Sequence, residues 1–526
     1  MMNMQWWREI VFYQIYLPSF QDGNGDGIGD FYGLINRLDY LQKLGIGGIW
    51  ITPFYPSPRV DNGYDISDYL NVDPNFGTLE IFSQLISEAH KRNIRVIIDV
   101  VLNHVSTEHP WFKDALNNPE SQYRDYFIFT REPNNWQSFF GGSAWELEAE
   151  GGDYYYHKFA IEQADLNWAN SAVIDEAKTV LDFWIEMGVD GFRLDVINFL
   201  SCNDTRMNNP VLDNGEQQHL NDINQPGIEN CLSDLLAHVR AKGDYFIVGE
   251  VGSDKLDELA RYQSTALCDV VFNFNLASQP TFDLQQIFQQ FEQMDSTYSG
   301  VPTLFFSSHD MPRMISRFGE GVGDIFRARA MACMQLMANG IPFIYYGEEI
   351  GMQDYVATCP EEIYDIQGKM HYQQKLAACG NSEEAFRFAL TKSRDNSRSP
   401  MQWSCVPLAG FSSQVPWMPI NENYREINAE AAQKDLHSLW HDYQKMIALR
   451  AQYPVFQYGK YDGLTLVQDT LIFSRCYHRQ RATVLINFGR AYPLAAHLPG
   501  KVLFDTRKYS EMTNNDIVIY IEDNND

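Results

Sequence analysis

The sequence contains no apolar run of about 18 residues, the length that would suggest a bilayer span, so no membrane segment is expected. The first ten residues include Trp6, Trp7 and Glu9 and no long apolar core, so no secretory leader is expected either. Basic charge is scarce. Lys and Arg total 40 against 69 Asp and Glu, giving a formal net charge of -29. That balance argues against nucleic acid, which is recognised by basic surface, and fits a neutral or cationic ligand. Cysteine is sparse too: 8 residues with no C-x-x-C pair. Neither a disulfide framework nor a zinc site is expected, and reduced thiols point to the cytoplasm.

What is present is length and aromatic mass. A chain of 526 residues exceeds one ordinary core, so several domains are expected. It carries 33 Phe, 29 Tyr and 11 Trp; most must be core, and a surplus can line a sugar site. Short apolar runs recur at 11–16 (VFYQIY), 46–52 (IGGIWIT), 94–101 (IRVIIDVV), 190–198 (DGFRLDVIN), 245–250 (YFIVGE), 268–274 (CDVVFNF), 302–307 (PTLFFS) and 341–346 (IPFIYY). Runs that are nearly all apolar suit strands buried on both faces. Helical periodicity lies between them at 31–44, 79–92, 172–187 and 324–337. Eight strands alternating with helices predict an α/β fold of the closed (β/α)8 TIM-barrel type.

Two stretches interrupt the rhythm. Residues 103–168 are rich in Trp, Tyr, Asn and Gly without helix period, and residues 348–424 look irregular. Past a last helix near 439–449, short strands at 465–467, 471–475 and 482–486 predict a separate all-β domain. The expected division is a barrel over 1–102 and 169–450, an insertion over 103–168 after strand three, and a C-terminal domain over 451–526.

The chemistry gathers at strand ends, where barrel enzymes place their catalytic groups. Alternation puts Arg193 and Asp195 on one face of the fourth strand. The cation is expected to hold the Asp195 pKa down and aim a nucleophile at a sugar carbon, although a buried pair joining strands reads equally well. Asn103 and His104 follow the third strand, Glu250 ends the fifth, and His309 and Asp310 follow the seventh. Strands four and five are neighbours, so Asp195 and Glu250 should face each other across the roughly 5–5.5 Å of a retaining glycosidase. Glu250, in an apolar strand, should have a raised pKa and serve as acid and then base. Asp310 and the two histidines can bind sugar hydroxyls.

Residues 22–30 (DGNGDGIGD) place oxygen side chains at alternate positions, a pattern that wraps a hard cation such as Ca²⁺. The set is Asp22, Asn24, Asp26, Ile28 and Asp30. It is not an EF-hand, because Gly33 stands where the bidentate Glu belongs. A glycine-rich turn with solvated carboxylates is the plainer alternative.

The motifs DVVLNH (99–104), GFRLDVINF (191–199), VGEV (248–251) and SSHD (307–310) together resemble the α-amylase superfamily, glycoside hydrolase family 13. With GIWITP (48–53), QADLNW (163–168), GIPFIYYGEEIGM (340–352) and RDNSRSPMQW (394–403), the resemblance is to its oligo-1,6-glucosidase and α-glucosidase group and covers nearly the whole chain. It implies that Asp195 is the nucleophile, Glu250 the general acid/base and Asp310 the third carboxylate. It implies that Tyr64, His104, Arg193 and His309 surround the non-reducing glucose. Asp61 and Arg398 match the pair that grips that glucose and makes the enzyme exo-acting. The 22–30 loop resembles the family's calcium loop, the insertion its domain B, and the last segment its β-sandwich domain C.

Val196 follows the nucleophile; in the family Val there accompanies α-1,6 cleavage, and Thr, Ala or Gly accompany α-1,4. Residues 207–227 look more like the α-1,4 group. The expectation is therefore a retaining exo-α-glucosidase acting on small α-glucosides, α-1,6 or mixed, with no organic cofactor. Rivals are a transglycosylase or sucrose- or trehalose-type isomerase, a trehalose-6-phosphate hydrolase, which would need a Lys/Arg cluster that does not stand out, and a non-enzymatic transporter-associated relative.

Overall fold

A computed structural model describes residues 5–148, 152–203, 206–319, 324–494 and 498–523; residues 1–4, at the head of the segment read for a leader, lie outside it. Eight strands form one parallel sheet: β1 (Phe12–Ile15), β2 (Gly48–Ile51), β3 (Arg95–Val100), β4 (Gly191–Leu194), β5 (Phe246–Gly249), β6 (Val270–Val271), β7 (Thr303–Leu304) and β8 (Ile341–Tyr345). Their neighbour order is β6-β5-β4-β3-β2-β1-β8-β7, a barrel with its seam between β6 and β7. Thr303 spans that seam: its hydroxyl donates to the Val271 carbonyl at 3.0 Å and accepts from the Asn273 N–H at 3.1 Å. The sixth strand is shorter than the apolar run because Asn273 caps a helix, Phe274–Ala277, inside it.

Helices wrap the sheet. In α1 (Phe31–Leu44) the buried residues include Leu34, Leu38, Leu41 and Leu44, an inward stripe at three- and four-residue steps. Asp30 caps its start, and Gly45, at φ 99°, ends it in the left-handed conformation that favours glycine. There follow α2 (Leu79–Lys91), α3 (Ser171–Glu186), α4 (Ile228–Lys242), α5 (Leu284–Thr297) and α6 (Ile325–Met337). Among the described residues no helix is long and apolar enough to cross a membrane.

The two interruptions hold more structure than their sequences suggest. Residues 103–168 contain a helix, Pro110–Asn117, and a three-stranded sheet of Phe129–Thr130, Tyr154–Tyr156 and Trp145–Leu147. Trp136, Trp145 and Tyr156 form a separate core there. The helix is too short, at 8 residues, to display a period. Residues 348–424 contain α7 (Ile366–Cys379) and α8 (Ser382–Leu390). In α7 only Gly368 is buried, so no apolar stripe marks it. The C-terminal segment is a five-stranded antiparallel sheet of β9 (Lys460–Val467), β10 (Thr470–Tyr477), β11 (Gln480–Asn487), β12 (Lys501–Asp505) and β13 (Ile517–Asp523), with a two-stranded ribbon beside it. Arg475 of β10 ties it to the barrel by donating to the carbonyls of Met337 and Ala338 at 3.1 and 2.9 Å.

Candidate active site

Parallel register sets the site. Val100 pairs with Leu194, and Leu194 with Gly249, so β3, β4 and β5 end level. Gly191 allows the close approach: a Cβ there would sit 2.2 Å from the Phe246 carbonyl oxygen. Asp195 and Glu250 follow directly, held by N–H donation to the carbonyls of Val100 at 3.1 Å and Leu194 at 2.9 Å.

One buried guanidinium faces three carboxyl groups. Arg193 Nη1 donates to Asp99 Oδ1 at 2.7 Å and to Asp195 Oδ1 at 2.5 Å, and Nη2 donates to Glu250 Oε2. One cation cannot hold three desolvated carboxylates ionised. Burial pushes Asp195 up to about 7 against the pull of Arg193, with Asp99 adding to the rise. Burial likewise pushes Glu250 up to about 8, opposed by Arg193 and reinforced by Asp195 and Asp310. The depressed Asp195 pKa expected from the Arg193–Asp195 spacing is therefore not found, because the neighbouring strands add two more acids around the same cation. The Glu250 expectation agrees with this direction. The two carboxyls sit on one guanidinium, line the same cavity and titrate as a pair. Such proximity lies on the retaining side of the glycosidase geometries, since an inverting site leaves room for water between the acids.

Asp310 is the contrast. Burial opposes its ionisation, but His309 and the guanidinium groups of Arg394, Arg398 and Arg193 hold it at about 2. Gln14 Nε2 meets His309 Nδ1 at 2.7 Å, and His309 Nε2 faces the Tyr64 hydroxyl and, at 3.2 Å, Asp310 Oδ2. Burial lowers His309 to about 3 and His104 to about 4, so both rings are neutral near pH 7. Tyr64 donates to Asp99 Oδ2 at 3.0 Å. Gln163 reaches both His104 and Asp61.

The expected Asp61–Arg398 pair does not form. Asp61 Oδ1 accepts from Arg394 Nη2 at 2.6 Å. Arg394 also binds Asp365 Oδ1 at 2.5 Å and lies 3.5 Å from Asp310. Arg398 is fully buried behind it, donating to the His309 carbonyl at 2.8 Å and to Asp310 at 3.2 Å. Arg394 and Asp365 are the residues that the sequence reading missed. Arg394 stood in the quoted RDNSR run. Asp365 caps α7, accepting from Gly368 N, and an Asp before a helix start was the available signal.

Val196 has φ 37° and ψ 47°, a left-handed backbone that a β-branched residue rarely adopts. Its strain sits beside Asp195, where such outliers cluster at functional positions. Val196, Asp195, Glu250, Asp310, Tyr64, His104, Asp61 and Arg394 all line one cavity of about 330 Å³. Phe139, Phe140, Phe159, Phe199 and Phe274 supply aromatic wall.

The 22–30 loop contributes none of the lining residues. Its carboxylates are turned onto its own backbone: Asp22 accepts from Gly25 and Gly27 N–H at 2.6 and 2.9 Å, and Asp30 from Gly33 at 2.7 Å. Asp26 accepts from Ile28 N–H at 2.8 Å. Among the described residues no trio of His, Cys, Asp or Glu converges to hold a metal alone. A cation here depends on Asn24 and backbone oxygen as well. Oxygen donors at alternate positions fit a hard cation in chemistry, although Asp30 and Asp22 Oδ2 already accept two hydrogen bonds per oxygen and would exchange some of them for the ion.

The family of the alpha amylase catalytic domain matches residues 14–459. The chain belongs to that family. It is 38% identical to the oligo-1,6-glucosidase of Parageobacillus thermoglucosidasius, over 96% of this chain and 94% of that protein. It is 40% identical to the trehalose-6-phosphate hydrolase of Escherichia coli K12, over 92% of this chain and 91% of that protein. Among solved structures, the trehalulose synthase of Pseudomonas mesoacidophila MX-45 superposes with a TM-score of 0.91 at 33% identity, covering 98% of this chain and 99% of that one. This alpha-amylase family member is a glycoside hydrolase with the expected TIM-barrel fold and an all-β C-terminal region.

Proposed function

We propose that the chain is a retaining, exo-acting α-glucosidase that releases glucose from the non-reducing end of short, uncharged α-glucosides, α-1,6 links first. Asp195 attacks the anomeric carbon while Glu250 protonates the departing oxygen. The resulting Glu250 carboxylate then takes a proton from the water that frees the sugar. Arg193 orients both acids, and Asp310 takes up sugar hydroxyls beside the oxocarbenium-like transition state. The observation that carries the reading is the Asp61–Arg394 ion pair, which lines the cavity together with all three carboxyl groups. An ion pair beside Asp310 suits a pocket that accepts one terminal glucose and stops there.

Charge narrows the substrate. No Lys or Arg occurs between Arg261 and Arg313, a span that supplies Phe274, Ser278 and Met311 to the cavity. Arg394 is the cation on the described cavity wall, and Asp61 and Asp365 already occupy it. A phosphoryl group would need unspent cations. This favours isomaltose-like substrates over trehalose 6-phosphate. Val196 beside the nucleophile supports the α-1,6 preference. The aromatic wall favours one second reading, an isomerase that excludes water and returns a disaccharide. We also infer that Ca²⁺ would sit on Asp22, Asn24, Asp26, the Ile28 carbonyl and Asp30 as a structural ion, and that the eight free thiols suit the cytoplasm.

The test is glucose release from isomaltose, maltose and trehalose 6-phosphate in parallel, with sucrose as a fourth substrate. Isomaltose preference supports the reading. Preference for the phosphorylated sugar would overturn the neutral-substrate argument, and a disaccharide product would move the enzyme to the isomerases.

A further inference from the structure

We propose that Gln14, on the first barrel strand, is a positioning residue that fixes His309 as the Nε2–H tautomer and so aims that N–H at the Asp310 side of the sugar pocket. The inference rests on the reading of Asp310 as the carboxylate that takes up sugar hydroxyls. Gln14 is the one side-chain amide in the run VFYQIY (11–16), and it is buried. Register sets it between Tyr345 of β8 and Trp50 of β2. A buried amide in such company costs stability unless it is hydrogen-bonded. Its partner is His309 Nδ1, at 2.7 Å.

Two ends of one hydrogen-bonded chain decide where the imidazole proton sits. At the first end the Gln14 Nε2 amide can only donate, so it needs a lone pair on Nδ1. At the second end stands Asp99. Burial raises it only to about 6, so near pH 7 its carboxylate accepts and does not donate. Tyr64 donates its single hydroxyl proton to Asp99 Oδ2 at 3.0 Å. The Tyr64 oxygen therefore meets His309 Nε2 as an acceptor. A neutral imidazole has one N–H, and both ends place it on Nε2. Asp99 closes the chain by accepting from Arg193 at 2.7 Å on its other oxygen.

The ring's pose has its own supports. It lies nearly parallel to Tyr64, 9° apart at 5.5 Å, stacks on Tyr16 at 6.1 Å and meets Trp50 edge-on at 5.8 Å. What Gln14 adds is the choice of which nitrogen carries the proton. That choice matters at Asp310, whose Oδ2 lies 3.2 Å from His309 Nε2. With the proton on Nε2, the ring attracts the carboxylate and holds it in place. With the proton on Nδ1, a lone pair would face an anion. Among the described residues, Tyr64 and Asp310 line the cavity and Gln14 does not, so Gln14 acts through His309.

The full-length enzyme, deuterated and carrying [15N]histidine, should be read by long-range proton–nitrogen correlation, with His309→Gln assigning the ring. Native Nδ1 should show the shift of an unprotonated ring nitrogen and Nε2 that of an N–H. Gln14→Glu puts an acceptor in the donor's place and should draw a proton onto Nδ1. Gln14→Met keeps the length without a donor and should leave the tautomer mixed. On p-nitrophenyl α-glucoside, kcat should fall roughly 10²-fold in Gln14→Glu and about 3–10-fold in Gln14→Met, with smaller changes in KM. A native ring with its proton on Nδ1 would overturn the tautomer. A variant with altered ring nitrogens and unchanged kcat would overturn the positioning role. Equal losses in both variants that follow a lower melting temperature would reduce Gln14 to packing. Where Gln14→Glu does not fold, the native spectrum and Gln14→Met still decide. The nitrogen shifts need no substrate, so the tautomer stands apart from the fate of the α-glucosidase reading.

Discussion

Two acidic clusters in this barrel are built in opposite ways. In the 22–30 loop, carboxylates accept N–H bonds from residues two to seven positions away, such as Asp26 from Ile28 and Asp30 from Gly23. Around Arg193, the partners are 94 residues away at Asp99 and 57 away at Glu250. The local cluster is satisfied mainly by its own backbone, with Ser412 adding a hydroxyl to Asp22; Asp22 and Asp30 are buried and Asp26 is exposed. The distant one is buried, short of cations, and opens on a cavity. Carboxylates quieted by backbone donors hold a shape. Carboxylates starved of water and counter-charge keep protons near neutrality, as acid/base chemistry requires.

Variants should separate the clusters. The largest effect belongs to Asp195→Asn, which should lower kcat by roughly 10⁴-fold or more. Its melting temperature at pH 8 should not fall. A carboxyl whose pKa is raised on folding binds extra protons in the native state, so its contribution is lost as pH rises toward the folded value of about 7. A large melting loss in this variant would make Asp195 a structural ion pair. Next, Arg394→Ala should raise KM for isomaltose roughly 10²-fold, whereas losing the terminal-glucose grip to Arg398→Ala alone would restore the pairing first expected from sequence.

Acid and base should then show in the pH profile. Asp195 must be ionised, so kcat/KM should climb through about 7; Glu250 must be protonated, so it should fall above about 8. A profile centred near pH 5 would mean that Arg193 outweighs burial after all. A smaller change is expected at Val196. Val196→Thr keeps the shape and adds a hydroxyl, and should move the isomaltose-to-maltose ratio of kcat/KM by roughly 3–10-fold. No change would reduce Val196 to packing. The smallest effect on turnover belongs to the loop. Chelation should leave kcat unchanged and lower the melting temperature by a few degrees, reversed by added Ca²⁺. A loss of kcat on chelation would join the two clusters.

Much of this contrast was legible in the chain. Strand–helix alternation and acids at strand ends are local patterns, and α1 was readable to its last residue. What stayed hidden depended on neighbours. The spacing of Arg193 and Asp195 suggested a cation with one acid, but β3 and β5 add Asp99 and Glu250, which reverses the pKa shift of Asp195. Arg394 and Arg398 sit four residues apart on either side of a tight 3-10 turn, Asp395–Ser397, and only that turn decides which guanidinium faces Asp61. Helix α7, with its exposed flanks, carries no stripe, so Asp365 at its cap was passed over.

The central claim is that Asp195 carries the sugar while Glu250 moves the proton. A fluorinated α-glucosyl fluoride that traps a slow glycosyl-enzyme tests it most directly, read by intact mass and peptide mapping. One sugar bound to Asp195, with the first glucose formed from isomaltose being the α-anomer by NMR, is the predicted result. A label on Glu250 or Asp310, or a β-anomer formed first, would contradict it.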